Sequence, residues 1–270
     1  MLETDKLFAG SIPENYDRLM VPLIFEPFAL DLSQRVARLS PGTVLEIAAG
    51  TGAVTRVLAP KLPASARYVV TDLNQPMLDY AAAQQGPDGR IEWRQADAMA
   101  LPFEDATFDT ICCQFGAMFF PDHIKAYREA RRVLKPGGHF LFSVWDRIEE
   151  NVLADEVTKA LADIFPDDPP NFLGRTPHGY HDTKLIRADL ESAGFTHVVI
   201  ETRTQKSNAP SPSIPVVAYC RGTLLRNEIE ARRAGSLEAV TDHVTAALTA
   251  IHGTGALSAK IQAHVITAMA

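Results

Sequence analysis

From Thr43 onward, short apolar runs alternate with longer stretches in which apolar residues return every three or four positions. Runs at 43–48, 66–72, 90–95, 108–115 and 138–145 have strand length, and the stretches at 53–62, 74–85 and 121–134 between them have helical period. The helix at 121–134 runs into "KPGG", where Pro136 cannot extend it and Gly137 or Gly138 can take the left-handed conformation that closes it. A helix at 182–195 with its stop at Gly194, and a strand at 196–204, continue the rhythm. Strand and helix in alternation predict βαβ units, hence an α/β fold with a mostly parallel sheet.

Two stretches break the rhythm. Residues 151–180 begin as a helix and pass into "FPDDPPNFLGRTPHGY", whose prolines exclude regular structure. Residues 213–250 are helical in period after "NAPSPSIP", and 259–270 read as a last strand. Insertions beyond strand carboxyl ends lie over the binding crevice of an open α/β sheet. The expected organisation is an amino-terminal lid and first helix at 1–42, then one domain at 43–270 with cover insertions at about 149–181 and 213–250.

Composition narrows the class. Of 270 residues, 46% are hydrophobic and 22% charged, as in an ordinary globular chain. The formal charge is −7 and no dense Lys/Arg stripe appears, which disfavours a nucleic-acid partner. Three cysteines, with Cys112 and Cys113 adjacent in an apolar run, suit neither a disulfide framework nor a zinc site, and no metal is expected. On one strand, neighbouring side chains point to opposite faces, so these two read as small buried hydrophobes. The amino terminus lacks the basic and apolar regions of a leader, and no run approaches the roughly 20 apolar residues of a membrane span. The expectation is a cytoplasmic protein, monomeric or homodimeric, acting on a small molecule.

Chemistry concentrates at the strand ends. In "TVLEIAAGTGAVT" (43–55), Glu46 and Ala48 precede Gly50 and Gly52, a turn that lets a ligand approach the backbone beside the free N–H groups of a helix start. A dinucleotide fingerprint needs G-x-G-x-x-G; Gly50 and Gly52 could be its first two glycines, but Thr55 stands where the third would fall. Asp72 ends the next strand, where a carboxylate matches a ribose diol or caps the following helix. Asp97 and the Ala98 amide follow the third strand and can read an adenine amino edge. Gln114, Phe115 and Gly116 close the fourth.

With these stretches in register, the chain resembles the Rossmann-like S-adenosylmethionine-dependent methyltransferases and is similar to their ubiquinone/menaquinone-biosynthesis type. The resemblance rests on "LEIAAGTG", "VVTDLNQPML", "QADAMALPFEDATFD" and "VLKPGGHFLFSVW", between about Val44 and Trp145; beyond, "LESAGF" and "KIQAHVITA" look like that family's last helix and closing hairpin. It implies a Rossmann-like seven-stranded sheet, helices on both faces and the last strand antiparallel, with S-adenosyl-L-methionine as cofactor. It places Glu46, Ala48, Gly50 and Gly52 along the methionine part and Asp72 on the ribose. Leu73 and Met77 would lie against the adenine, Asp97 and Ala98 at its amino group, Gln114 below the sulfonium and Tyr16 at the carboxylate. Ala48 departs from the glycine commonest at its position.

The acceptor side is less marked. His178, Tyr180 and His181 in "RTPHGYHD" are candidate catalytic groups, since histidine can take a proton from a phenol or acidic carbon, or they simply shape the loop. Phe115, Met118, Phe119 and Phe120 read as an aromatic wall or as core. The expected activity is methyl transfer to carbon or oxygen of a small apolar or aromatic metabolite. A cofactor sensor without turnover and a nicotinamide-dependent oxidoreductase are the alternatives.

Overall fold

A computed structural model describes residues 12–232 and 235–270. The leader reading and the start of the amino-terminal lid fall on residues 1–11, outside the described residues. The chain enters through α1 (Ile12–Asn15), a π-helical segment (Tyr16–Phe25) that contains Pro22, and α2 (Glu26–Arg38). Then follow β1 (Thr43–Glu46), α3 (Ala53–Leu58), β2 (Arg67–Asp72), α4 (Gln75–Gln85), β3 (Ile91–Gln95), β4 (Phe108–Gln114), α5 (His123–Val133) and β5 (Leu134–Trp145). The remainder comprises α6 (Val152–Ile164), α7 (Phe172–Arg175), α8 (Thr183–Ser192), β6 (Thr196–Ala209), α9 (Ser213–Gly222), α10 (Leu225–Ala231), α11 (Leu237–His252) and β7 (Leu257–Met269).

The strands form one seven-stranded sheet in the order β3-β2-β1-β4-β5-β7-β6, with β1 to β5 parallel and β7 antiparallel to both β5 and β6. From β1 the chain moves outward through β2 and β3, then crosses back to β4 on the other side of β1. That reversal opens a crevice at the carboxyl ends of β1 and β4, where ligands settle in open α/β sheets. Apolar side chains cover both faces in separate clusters. Cys112 is buried in one and Cys113 in the other, as expected of neighbours on a strand.

The larger differences from the sequence expectation are three boundaries and a short helix, α7, which forms at Phe172–Arg175 within the proline-bearing stretch expected to hold no regular structure. Helix α5 ends at Val133, not at the glycines: Leu134 is already extended and pairs with Phe108, so "KPGG" belongs to β5. There Gly137, at φ 77°, bends the strand and donates to the Ala270 carbonyl. Pro60 tightens the end of the helix expected at 53–62 into a separate 3₁₀ turn, Ala59–Lys61. Strand β6 runs past Thr204 to Ala209, still paired with β7, so α9, α10 and α11 sit between the arms of one long hairpin. Among the described residues no helix is long and apolar enough to cross a membrane.

Candidate active site

Beyond β1 the backbone turns through left-handed conformations at Ala48 (φ 54°), Gly50 (φ 57°) and Gly52 (φ 82°). Alanine at such a φ is strained by about 1–2 kcal/mol relative to glycine. The tertiary structure accommodates its methyl at Gly116, where an added Cβ would lie 2.5 Å from the Ala48 Cβ and 2.8 Å from the Cys113 Sγ. The glycine missing at position 48 is thus matched by one across the crevice. A Cβ on Gly50 would meet nothing within 4 Å, so the cleft opens there. One on Gly52 would press the Ala81 Cβ at 3.1 Å.

A cleft lies over this turn. Its walls include Tyr16, Glu46, Ala48, Gly50 and Asp72, together with Leu73, Met77, Asp97, Ala98 and Gln114. Gly52, expected on this wall, lies outside the lining; it lets α3 approach α4. The Asp72 carboxylate is anchored at both oxygens: Oδ2 accepts the Gly50 amide at 2.8 Å, and Oδ1 accepts the Asn74 amide at 2.8 Å. It therefore ties the turn and starts α4 while facing the cleft. Burial raises its pKa, against the lowering pull of those amides. Asp97 accepts the Met99 amide at 2.8 Å, which orients its carboxylate. Two buried polar atoms in the walls, Thr51 Oγ1 and Gln114 Oε1, have no partner among the described residues.

Glu46 is deeper, with Oε2 accepting from the Thr55 hydroxyl at 2.7 Å and from the Tyr68 hydroxyl. Burial pushes its pKa up to about 7, although both hydroxyls favour the carboxylate. Between the usual Glu value and that figure the folded state holds a proton that the unfolded chain has released. The contribution of Glu46 to stability should therefore fall as pH rises from about 4.5 to about 7 and then level off. The change is on the order of 3 kcal/mol. His178, whose pKa burial lowers to about 4, contributes in the opposite sense over part of this range, so the difference between proteins is the readout: from pH 5 to pH 8, urea unfolding should show wild type losing stability relative to Glu46→Gln, and an equal change in both would place its origin elsewhere.

A second, smaller cavity adjoins the first. Tyr16, Phe25, Phe115 and Phe119 line both. The second is closed by Trp145 at the end of β5, by Phe172, Leu173 and His178 from the 149–181 stretch, and by Tyr219 and Thr223 from the α9–α11 stretch. No charged side chain lines it among the described residues. Its amide and alcohol are already engaged. Asn151 donates to the carbonyls of Asp146, Arg147 and Gln262 and accepts the Gln262 amide, while Thr223 donates to the Tyr219 carbonyl. His178 Nδ1 lies 2.8 Å from the Asp146 carbonyl. A carbonyl only accepts, so Nδ1 carries the hydrogen and Nε2 keeps a lone pair. Burial lowers the His178 pKa to about 4, which keeps the ring neutral at neutral pH.

The other two expected catalytic groups do not line either cavity. The Tyr180 hydroxyl donates to Asp189 at 2.7 Å and its ring stacks on His123 at 3.7 Å. Burial raises its pKa, so it stays a neutral phenol held in the packing of α5 against α8. His181 Nδ1 turns back to the His178 carbonyl at 2.9 Å, a contact within the loop. Loop spacing placed the three side by side, but only His178 lies on a cavity wall. Conversely, Phe25, Trp145, Phe172 and Tyr219 were not singled out from the sequence. Trp145 stood at a strand's carboxyl end and could have been; the others carried no local signal.

Residues 45–142 match the family model described as "Methyltransferase domain". The ubiquinone/menaquinone biosynthesis C-methyltransferase UbiE of Idiomarina loihiensis is 31% identical over 176 residues, 60% of this chain and 69% of that protein. That of Escherichia coli is 32% identical over 168 residues, 58% of this chain and 67% of the relative. The chain belongs to the S-adenosylmethionine-dependent methyltransferases. Solved structures agree in fold. A putative methyltransferase from Bacillus halodurans has a TM-score of 0.58 at 20% identity, covering 89% of this chain and 97% of its own. A phosphoethanolamine N-methyltransferase of Haemonchus contortus, complexed with S-adenosylhomocysteine, has a TM-score of 0.59 at 15% identity, covering 95% of this chain and 57% of its own.

S-adenosylmethionine is accordingly the cofactor, and the first cleft of this methyltransferase suits it. Open space beside Gly50 admits a ligand against the main chain, and two acids at neighbouring strand ends share the cleft. The buried Thr51 hydroxyl and Gln114 amide oxygen await polar partners that an amino-acid tail would supply. The nicotinamide alternative is set aside by this assignment.

Proposed function

We propose that this methyltransferase methylates carbon or oxygen of a small apolar or aromatic acceptor held in the second cavity. The observation that carries the reading is the wall of Tyr16, Phe25, Phe115 and Phe119, common to the cleft and to an adjoining cavity without charged side chains. A buried charge without a partner is strongly disfavoured, so a neutral molecule suits that cavity. The UbiE relatives, named as C-methyltransferases, favour carbon.

In this reading Asp72 holds the ribose hydroxyls, Asp97 and the Ala98 amide meet the adenine amino group, and Leu73 and Met77 cover the ring. Glu46, Ala48, Gly50, Gln114 and Tyr16 surround the methionine part, with Gly52 acting only by allowing the turn. Tyr16 stays protonated, because burial and the Asp72 charge raise its pKa, and so serves as a hydrogen-bond donor. The 149–181 and 213–250 stretches act as the acceptor's cover. When bound, S-adenosylmethionine supplies an electrophilic methyl group on a sulfonium. The protein's contribution is to hold the acceptor in line, exclude water and manage one proton. His178, neutral through Nε2, accepts a hydrogen bond from the acceptor's O–H or acidic C–H. An acceptor hydroxyl becomes strongly acidic only as its oxygen gains a further bond, so a weak base can still take the proton at that stage.

A transfer assay with methyl-tritiated S-adenosylmethionine over two metabolite sets tests this, one of neutral aromatic and apolar compounds, the other of charged amines and carboxylates. Label should enter the neutral set. Label confined to the charged set would refute the acceptor class, and a protein that only senses the cofactor would label neither.

A further inference from the structure

Phe115 stands out in the shared wall. Its backbone is left-handed at φ 51°, where a bulky residue is uncommon and the strain amounts to about 1–3 kcal/mol. An aromatic clamp holds it there. Its ring stacks on Trp145 at 3.8 Å with planes 6° apart and meets the edge of Phe28 at 5.4 Å. The next residue, Gly116, is pressed against Ala48 of the cofactor turn so closely that not even a methyl fits between them. The strained residue is therefore locked between Trp145 on the second-cavity side and the turn under the first. It lines both spaces while remaining only 6% exposed.

We propose that Phe115 is the partition between donor cleft and acceptor cavity, and that its ring sets the largest acceptor the enzyme admits. The inference rests on the acceptor reading above. With the ring in place, an acceptor meets the stacked Trp145–Phe115 pair as a flat aromatic boundary and can approach the donor only past its edge. With the ring trimmed, the two spaces merge, and a longer ring system extends into volume that the cofactor needs. Phe172 supplies the comparison, since it lines the second cavity alone. Trimming Phe172 enlarges the acceptor space without opening it to the donor.

The experiment uses Trp145 fluorescence in a Trp93→Phe background, with 2-naphthol and the longer 9-phenanthrol as neutral aromatic probes, each titrated with and without saturating S-adenosylhomocysteine. Calorimetry with S-adenosylhomocysteine alone, at one site per chain, verifies that each variant is folded. In the parent, 2-naphthol should bind roughly tenfold more tightly than 9-phenanthrol, and S-adenosylhomocysteine should leave both affinities unchanged. In Phe115→Leu the preference should vanish, and S-adenosylhomocysteine should weaken 9-phenanthrol binding roughly tenfold by competition. Phe172→Leu should also accept the longer probe, but without competition. Should the parent bind neither probe, the acceptor reading fails and takes this inference with it. Should the parent bind 2-naphthol while Phe115→Leu keeps the parent's preference, or shows no competition, the partition role alone is overturned.

Discussion

Replacing His178 with alanine is expected to lower kcat/KM for a labelled acceptor by roughly 10²–10³-fold, the usual effect of losing one general acid–base group. S-adenosylhomocysteine affinity should hold within about twofold, because His178 lines only the second cavity. The Asp146 carbonyl fixes the hydrogen on Nδ1 and leaves Nε2 as an acceptor in an apolar chamber. With its pKa lowered to about 4, the ring remains an acceptor throughout the neutral range. The limb of the pH–rate profile that belongs to His178 should then fall near pH 4 and disappear in the variant. Glutamine at this position separates orientation from proton removal, since its amide oxygen accepts a hydrogen bond but is no base. Partial recovery in His178→Gln identifies an orienting role, and none identifies proton transfer. Unchanged kcat/KM in His178→Ala would remove His178 from the reaction.

Asp72→Ala should weaken S-adenosylhomocysteine binding by roughly 10²- to 10⁴-fold in calorimetry, since two charge-assisted hydrogen bonds are each worth about 1.5–3 kcal/mol. A second loss accompanies the first. The same carboxylate receives the Gly50 and Asn74 amides, so its removal frees the turn that lies against the ligand. The melting temperature should fall as well, which a residue touching only the ligand would not cause. Asp72→Asn keeps the shape but directs an NH₂ at one of those two amides, and should recover little of the affinity. If Asp72→Ala left S-adenosylhomocysteine affinity within about threefold of the parent, the ribose would have to be held elsewhere.

Much of the donor side is legible along the chain. The apolar runs that become β1 to β4 and the glycine pair after β1 are local patterns, and a strand followed by a tight turn can form in only a few ways. The four stretches behind the family resemblance lie between Val44 and Trp145, where each strand delivers its last side chains to the same edge of the sheet. Even there, packing changed particulars. Gly52 turned out to serve the approach of α3 to α4, and the alanine in place of a glycine at position 48 is explained only by Gly116, distant in sequence. Strand β6 outran its expected end because pairing with β7 continues to Ala209, a long-range contact that no local propensity encodes.

The second cavity is a product of tertiary structure. His178, Tyr180 and His181 are equivalent candidates as neighbours in a loop, yet one lines a cavity, one is stacked on His123 and one turns back onto the loop. The second cavity joins Phe25, Trp145, Phe172 and Tyr219 from four separate parts of the chain. By itself the sequence determined the sheet's parallel core, the glycine turn after β1 and the family. Which side chains share a cavity, and which histidine lines it, depended on segments meeting from far apart. Strand period and turn chemistry act between near neighbours along the backbone, whereas burial and side-chain direction are decided only when distant surfaces pack.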